Sequence, residues 1–314
     1  ELMGKEPTSS TLHTQNAAMN RVFDEAVIRG FLTEANRPKL VASNGKKSDR
    51  RPAFELYELK ALLGNLEPWI DAARNAASRE RRLIMRDYIE MLVDTGARPG
   101  IELLDIKWKQ IHFMMSPAST MTDQVDEQGN PIEVHNLNRS CELTVTGKTG
   151  TRQIIGRQPT VKVLERIAKR NYGVDSSLTD PLKDLINPNN EDYVFRTKDK
   201  KEDVSESFQK MFMCFLEDHN LLKDPKTEQK RVFYSLRHTY ATLALTHDRV
   251  PIHTLAKQMG TSVVMIERHY SHLKVIQAAE QLRGAETRRL IEADAKVSAS
   301  YQSKKRGKQE LRVA

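Results

Sequence analysis

The chain is 314 residues long, 39% hydrophobic and 29% charged, enough for one substantial core and a smaller second unit. It has neither an apolar run of membrane-spanning length nor a signal-peptide pattern at its start, and its two cysteines, Cys141 and Cys214, are read as lying in apolar surroundings with no paired spacing. Neither a disulfide framework nor a zinc site is suggested, and the expected compartment is a reducing one. Lys and Arg outnumber Asp and Glu by 50 to 42, giving a formal charge of +8 and an isoelectric point near 9.3, so the first partner to consider is a polyanion, nucleic acid before any other.

Residues 1–42 read as a helical segment, a piece of a longer protein since the chain opens on Glu1 and not on Met. Met19, Val22, Phe23, Ala26 and Val27 recur at i, i+3, i+4, i+7 and i+8, which predicts one buried helix face in a piece with too few helices for a large core. Residues 43–53 form a basic linker. Its turn-rich SNGKKSDRRP carries Lys46, Lys47, Arg50 and Arg51, which can run along a phosphate backbone; the plainer alternative is a solvated hinge.

A larger domain, 54–295, follows. Helices are predicted near 54–66 and 79–95, the second ending at the turn Thr95-Gly96-Ala97-Arg98-Pro99-Gly100. IELLDIKWKQI begins as helix and passes into an extended IHFMM, and residues 116–140 read as a long polar loop. CELTVTG and TRQIIG flank the tight turn Gly147-Lys148-Thr149-Gly150, a β-hairpin signal. Further helices are predicted at 159–171, 205–219, from 235, at 251–259 and from about 262, and the tail 296–314 with its KKRGK reads as basic and disordered. The expected fold class is mainly α with a small antiparallel β-sheet (α+β).

The stretch FYSLRHTYAT organises this domain. Ser235 is a good helix N-cap, Leu236, Tyr240, Leu243 and Ala244 follow at helical spacing, and Arg237 then falls in the first turn, where unpaired N–H groups and a guanidinium fork suit a phosphate. An arginine capping a neighbouring helix would read the same way on its own. Arg98 sits in a Gly- and Pro-bounded turn from which a side chain can reach a ligand, and Lys148 at a hairpin tip. Tyr270 shares a helix with Val263, Ile266 and Leu273, the pattern of an ordinary core tyrosine.

Taken together these residues resemble the tyrosine recombinases, the phage-type integrases. TGARPG with Arg98 is similar to the family's first arginine box, TVTGKTGTR with Lys148 to its hairpin lysine, YSLRHTYATLAL with Arg237 to its second arginine box, and MGTSVVMIERHYSHL with Tyr270 to the segment of the nucleophilic tyrosine. The resemblance covers about residues 54–285, and the helical segment before it resembles the end of the family's core-binding domain. It implies a catalytic domain that cleaves and rejoins DNA through a 3′-phosphotyrosine, integrating or excising a mobile element. Tyr270 would attack phosphorus, Arg98 and Arg237 would hold the nonbridging oxygens, and Lys148 would protonate the leaving 5′-oxygen, with neither metal nor cofactor.

The implied partner is double-stranded DNA, contacted also by Arg152. The implied assembly is a homotetramer on two duplexes, with residues 274–293 docking on a neighbour and an accessory excision factor as a further partner. The implied location is the cytoplasm, on the nucleoid.

The sequence also departs from the family's pattern. Tyr234 stands three residues before the second arginine, where a histidine is common, and Thr261 nine before the tyrosine, where His or Trp is common. Ile101 occupies the usual acidic position, with Glu102 one residue later and able to orient Arg98. His238 is expected to brace the site. His269 and His272 at i, i+3 have no carboxylate cluster beside them, and no Gly-rich phosphate loop is present, so neither a metal nor ATP is expected.

The segment VPIHTLAKQMGTSVVMIERHY also reads as a helix-turn-helix of a non-catalytic DNA-binding regulator. That reading ranks second, because it leaves YSLRHTYAT and the Gly-bounded arginine turn unexplained.

Overall fold

The computed structural model describes residues 7–40, 51–125, 131–148, 150–173, 185–197 and 205–277, and the side chains of all of these except 116–138, 205, 206 and 271–277. The chain divides into two units, Glu1–Arg50 and Arg51–Ala314, the division falling within the basic segment 43–53. In the first unit, helix α1 (Ser9–Ile28) starts at Thr8, whose hydroxyl accepts from the Thr11 N–H at 3.2 Å. The apolar stripe forms on it, but no residue of α1 is buried, and Met19 and Val22 are exposed. The described residues of this unit hold one long helix and no second layer for its stripe, so the buried face expected from the periodicity is not seen among them. Lys46, Lys47 and Arg50 lie outside the described residues, and Arg51 is exposed.

The second unit runs α2 (Leu56–Asp71), α3 (Ala76–Thr95), a single turn α4 (Ile101–Leu104), strands β1 (Ile111–Val125), β2 (Pro131–Gly147) and β3 (Gly150–Gly156), then α5 (Gln158–Tyr172), α6 (Ser205–Asp218), α7 (Phe233–Thr246), α8 (Ile252–Met259) and α9 (Val263–Gln277). The strands form one antiparallel sheet in the order β1-β2-β3, with Ile111 opposite Leu143 and Gly147 opposite Gly150. The architecture is mainly α with a small antiparallel sheet. One large core joins α2, α3, α5 and α6 to the sheet through side chains such as Leu62, Ile89, Leu143, Ile154 and Phe212. A second, smaller core joins α7, α8 and α9 through Ala241, Leu255, Met259, Ile266 and the ring of Tyr270.

Three expectations are corrected. Much of 116–140, read as a polar loop, continues the ladder: β1 and β2 pair from Ile111–Leu143 out to Val125–Pro131. Backbone pairing carries an extended hairpin without the apolar alternation by which strands are recognised in sequence. Helix α7 begins two residues earlier than Ser235: Val232 is its N-cap and Ser235 its third residue, the hydroxyl accepting from the Val232 N–H at 3.2 Å. Arg237 therefore lies past the first turn, and its role does not depend on the helix terminus. Cys141 is buried on β2, where burial pushes its thiol up to about 12, whereas Cys214 is exposed on α6 despite its apolar sequence neighbours. No helix among the described residues is long and apolar enough to cross a membrane.

The α3–α5 contact is polar at its centre. Asp87, fully buried, accepts from Arg86, from Arg166 at 2.6 and 2.9 Å and from Arg170 at 2.6 Å. Asp87→Ala leaves these guanidiniums facing one another without the carboxylate, so an expected loss of about 3–5 kcal/mol should appear as a lower urea midpoint. A midpoint within error of wild type would show the arginines repartnering at no cost.

Candidate active site

Segments distant in sequence meet at the C-terminal end of α8. Helix α3 stops at Thr95 because Gly96 takes φ +65°, its N–H returning to the Leu92 carbonyl at 3.0 Å. A Cβ at Gly96 would lie 2.1 Å from Cδ1 of Tyr240, so both the dihedral and the packing of α7 require glycine. This turn aims the Gly96 carbonyl at α7, where it accepts from Nη1 of Arg237 at 2.6 Å, and it brings out Arg98. Nη2 of Arg237 donates to the Met259 carbonyl at 2.6 Å, and Nη2 of Arg98 donates to the next carbonyl, Gly260. The two arginines of the two boxes thus end on consecutive carbonyls where α8 terminates, Arg237 buried and Arg98 partly exposed.

Glu102 ties this corner to the sheet. Its carboxylate accepts from the Arg98 backbone N–H at 2.7 Å and from Arg98 Nη1 at 3.0 Å, and also from both terminal nitrogens of Arg152 on β3, at 2.6 and 2.7 Å. Two glycines clear the space: a Cβ at Gly147 would sit 2.5 Å from Glu102 Oε1, and one at Gly260 would sit 2.4 Å from Arg152 Nε. Burial works against the charge of Glu102, but the bonds from Arg152 and Arg98 outweigh it and hold the carboxyl below its ordinary value. Burial pushes the Arg237 guanidinium down, and the like charges of Arg98 and Arg152 act in the same direction. Three guanidiniums around one buried carboxylate leave an excess of positive charge, which an anion such as a phosphate would offset.

Further side chains near this corner come from α7 and α9. The His238 Nδ1 lies 2.5 Å from the Tyr270 hydroxyl, both residues buried. Tyr234 is exposed at the start of α7, its ring edge-on to His238 with centroids 5.2 Å apart. Thr261 follows Gly260 directly and is half-buried, its N–H donating to the Ala256 carbonyl. Lys148 is exposed at the β2–β3 turn, a residue away from Gly147, whose Cα backs onto Glu102. The structure therefore brings Arg98, Glu102, Arg237, His238, Thr261 and Tyr270 to one corner, with Tyr234 and Lys148 at its solvent side. His272 is beyond the described side chains.

One expectation is redirected and one residue is new. Arg152, expected to contact DNA, has both terminal nitrogens on Glu102, because a buried carboxylate beside it is a stronger partner than solvent. Gln258 carries no motif and was not singled out by sequence, yet its amide donates to the Thr95 and Ile155 carbonyls and accepts from the Ile155 N–H, fastening α8 to β3 and to the end of α3. Its position one residue before Met259 is the only sequence cue.

No protein-family model matches the sequence, and neither does any curated protein. Solved structures do. The Tn1549 transposon integrase in complex with circular intermediate DNA superposes with a TM-score of 0.53 at 14% identity, over 88% of this chain and 79% of that one. The XerH site-specific recombinase bound to palindromic difH substrate, in a post-cleavage complex, gives 0.52 at 16% identity over 87% of this chain and 68% of that one. The chain has the tyrosine-recombinase fold. The Glu102 cluster joins the turn that carries Arg98 to the hairpin that carries Lys148, so the carboxylate serves the architecture as well as the charge of the site.

Its protonation is therefore readable in stability. A carboxyl whose pKa in the folded state lies below its unfolded value stabilises the fold fully above the ordinary carboxylate range, and this contribution is lost as pH falls through the lowered folded value. For Glu102 that window lies below its ordinary 4.5. Glu102→Gln is expected to be less stable than wild type at neutral pH, with the gap closing as pH drops through this window. Urea midpoints over a pH series check it; a gap that stays constant into acid would mean the carboxylate's charge contributes nothing.

Proposed function

We propose that the chain is a site-specific DNA recombinase that breaks and rejoins DNA by transesterification through a 3′-phosphotyrosine, integrating or excising a mobile element. Tyr270 supplies the attacking oxygen. Arg98 and Arg237 hold the nonbridging oxygens and stabilise the charge that builds on phosphorus, and Lys148, on a hairpin tip, protonates the leaving 5′-oxygen. The substrate is duplex DNA, engaged by self-associated protomers, four on two duplexes, with an accessory factor biasing excision. The observation that carries this reading is the convergence of the two guanidiniums on the consecutive carbonyls Met259 and Gly260, with the Tyr270 hydroxyl held against the residue next to Arg237. Support comes also from the solved structures of the same fold, which are DNA complexes of an integrase and a recombinase.

Transesterification stores the phosphodiester energy in the protein–DNA bond, so it calls for no ATP. The test is covalent. The full chain is incubated with a pool of nicked duplexes of randomised sequence, in which cleavage releases a short strand and traps the intermediate. A protein–DNA adduct that survives denaturant is the expected result. Binding that salt or denaturant reverses completely, with no adduct from the pool, would instead fit a regulator built on the α8–α9 pair.

A further inference from the structure

The positions at which the family commonly has a histidine, or His or Trp, are filled here by Tyr234 and Thr261, yet a histidine does touch the tyrosine oxygen. His238 Nδ1 and the Tyr270 hydroxyl are 2.5 Å apart, with the two residues only 7% and 3% exposed. The imidazole is held by rings around it: Tyr234 edge-on at 5.2 Å, His269 at 6.1 Å and Tyr270 itself at 5.8 Å between centroids. In the tautomer that carries its proton on Nε2, Nδ1 is an acceptor and the phenol O–H is the donor it faces.

A phenol of ordinary pKa near ~10 is a weak nucleophile at neutral pH, and a buried one has no bulk water to take its proton as it attacks. Imidazole is the side chain best matched to that task near pH 7. The Thr261 hydroxyl has no comparable basicity, and Tyr234 presents its ring to His238. His238 also follows Arg237 directly in α7, so one helix delivers a phosphate-holding guanidinium and a group against the nucleophile.

We infer that His238 is the proton acceptor for Tyr270, an inference that rests on the recombinase reading above. In the cleavage step the Tyr270 oxygen forms a bond to phosphorus and the phosphorus–O5′ bond breaks. The phenol proton passes to Nδ1 of His238, and the departing 5′-oxygen takes a proton from Lys148. In rejoining, an incoming 5′-hydroxyl gives its proton to Lys148 as it attacks phosphorus, and His238 returns its proton to the departing Tyr270 oxygen. The roles reverse and nothing is consumed.

The test separates the base from the acid. A nicked duplex that the wild type traps is taken from the randomised pool, and a second version is made with sulfur in place of the bridging 5′-oxygen. A thiolate leaves without a proton, so sulfur removes the need for an acid and leaves the need for a base. His238→Asn places an amide oxygen near the position of Nδ1, which accepts the phenol hydrogen bond but cannot take the proton.

Its adduct formation is expected to be about 10²- to 10⁴-fold slower on both duplexes, with DNA binding retained. Lys148→Ala is slowed on the oxygen duplex and recovers on the sulfur one. A wild-type rate for His238→Asn, or its recovery on sulfur, would overturn the assignment. If His238→Asn does not fold, His238→Gln is measured in the same way, and failure of both to fold makes His238 structural. Absence of any adduct with the wild type is a different result, since it removes the recombinase reading itself.

Discussion

Replacing Arg237 by lysine is expected to slow covalent adduct formation by about 10²- to 10³-fold, while affinity for the same duplex stays within a few-fold of wild type. The geometry explains the split. Arg237 uses its two terminal nitrogens on two different carbonyls, Gly96 and Met259, which fixes the plane of the fork at the end of α8. Lysine keeps a charge but can satisfy one of these acceptors at a time, and its ammonium cannot present two parallel N–H groups to a phosphate. A carbonyl left without its donor in this buried corner costs about 1–3 kcal/mol, so the variant should also melt earlier yet remain folded. Binding depends on many phosphate contacts summed over the duplex, whereas the transition state depends on this one. Binding and cleavage falling by the same factor would make Arg237 a structural cation.

Tyr270→Phe is expected to abolish the adduct altogether and to do little else. The Tyr270 ring packs in the smaller core with Ala241, Leu255, Met259 and Ile266, and phenylalanine fills the same volume. The removed hydroxyl takes with it the bond to His238, worth about 0.5–1.5 kcal/mol net, so thermal stability should move little. An ordinary core tyrosine would predict the same small stability change with the adduct intact. The two readings differ in the covalent product alone, which is measured by denaturing electrophoresis of the trapped complex beside a melting curve.

The helices were legible wherever apolar residues repeat at helical spacing over a packed face. Residues 159–171 and 251–259, for example, match α5 and α8 to within one or two residues. The β2–β3 hairpin was legible because Gly147 and Gly150 bracket its turn. The outer part of β1 and β2 was not, since its register is set by main-chain pairing and its polar side chains carry no alternation. At α7, Ser235 has the chemistry of a cap, but a serine at the third position can also reach back to the N-cap N–H, and residue type alone does not separate the two.

Within the site, each motif pointed to its own residue. The links between motifs were hidden, because they run through tertiary contacts. Nothing in TRQIIG tells that Arg152 turns inward to Glu102, and nothing in the second arginine box tells that His238 lies on the hydroxyl of a tyrosine 32 residues later. The shift of the acidic residue from the position of Ile101 to Glu102 was visible, and the fork that Glu102 makes with the Arg98 backbone and side chain explains how a one-residue displacement still orients that arginine.

If Tyr270 carries the DNA, the phosphate of the trapped adduct resides on its oxygen, and that residue can be identified. The adduct trapped by the chain is digested with protease and nuclease, and the peptide bearing the remaining nucleotide is sequenced by mass spectrometry. A phosphotyrosyl linkage at Tyr270, within the α9 peptide, is the expected result. Tyr234 and Tyr240 are the rivals in this corner, the first exposed at the start of α7, the second with its ring closed over Gly96. A nucleotide found on either of them, or on any residue outside α9, would contradict it.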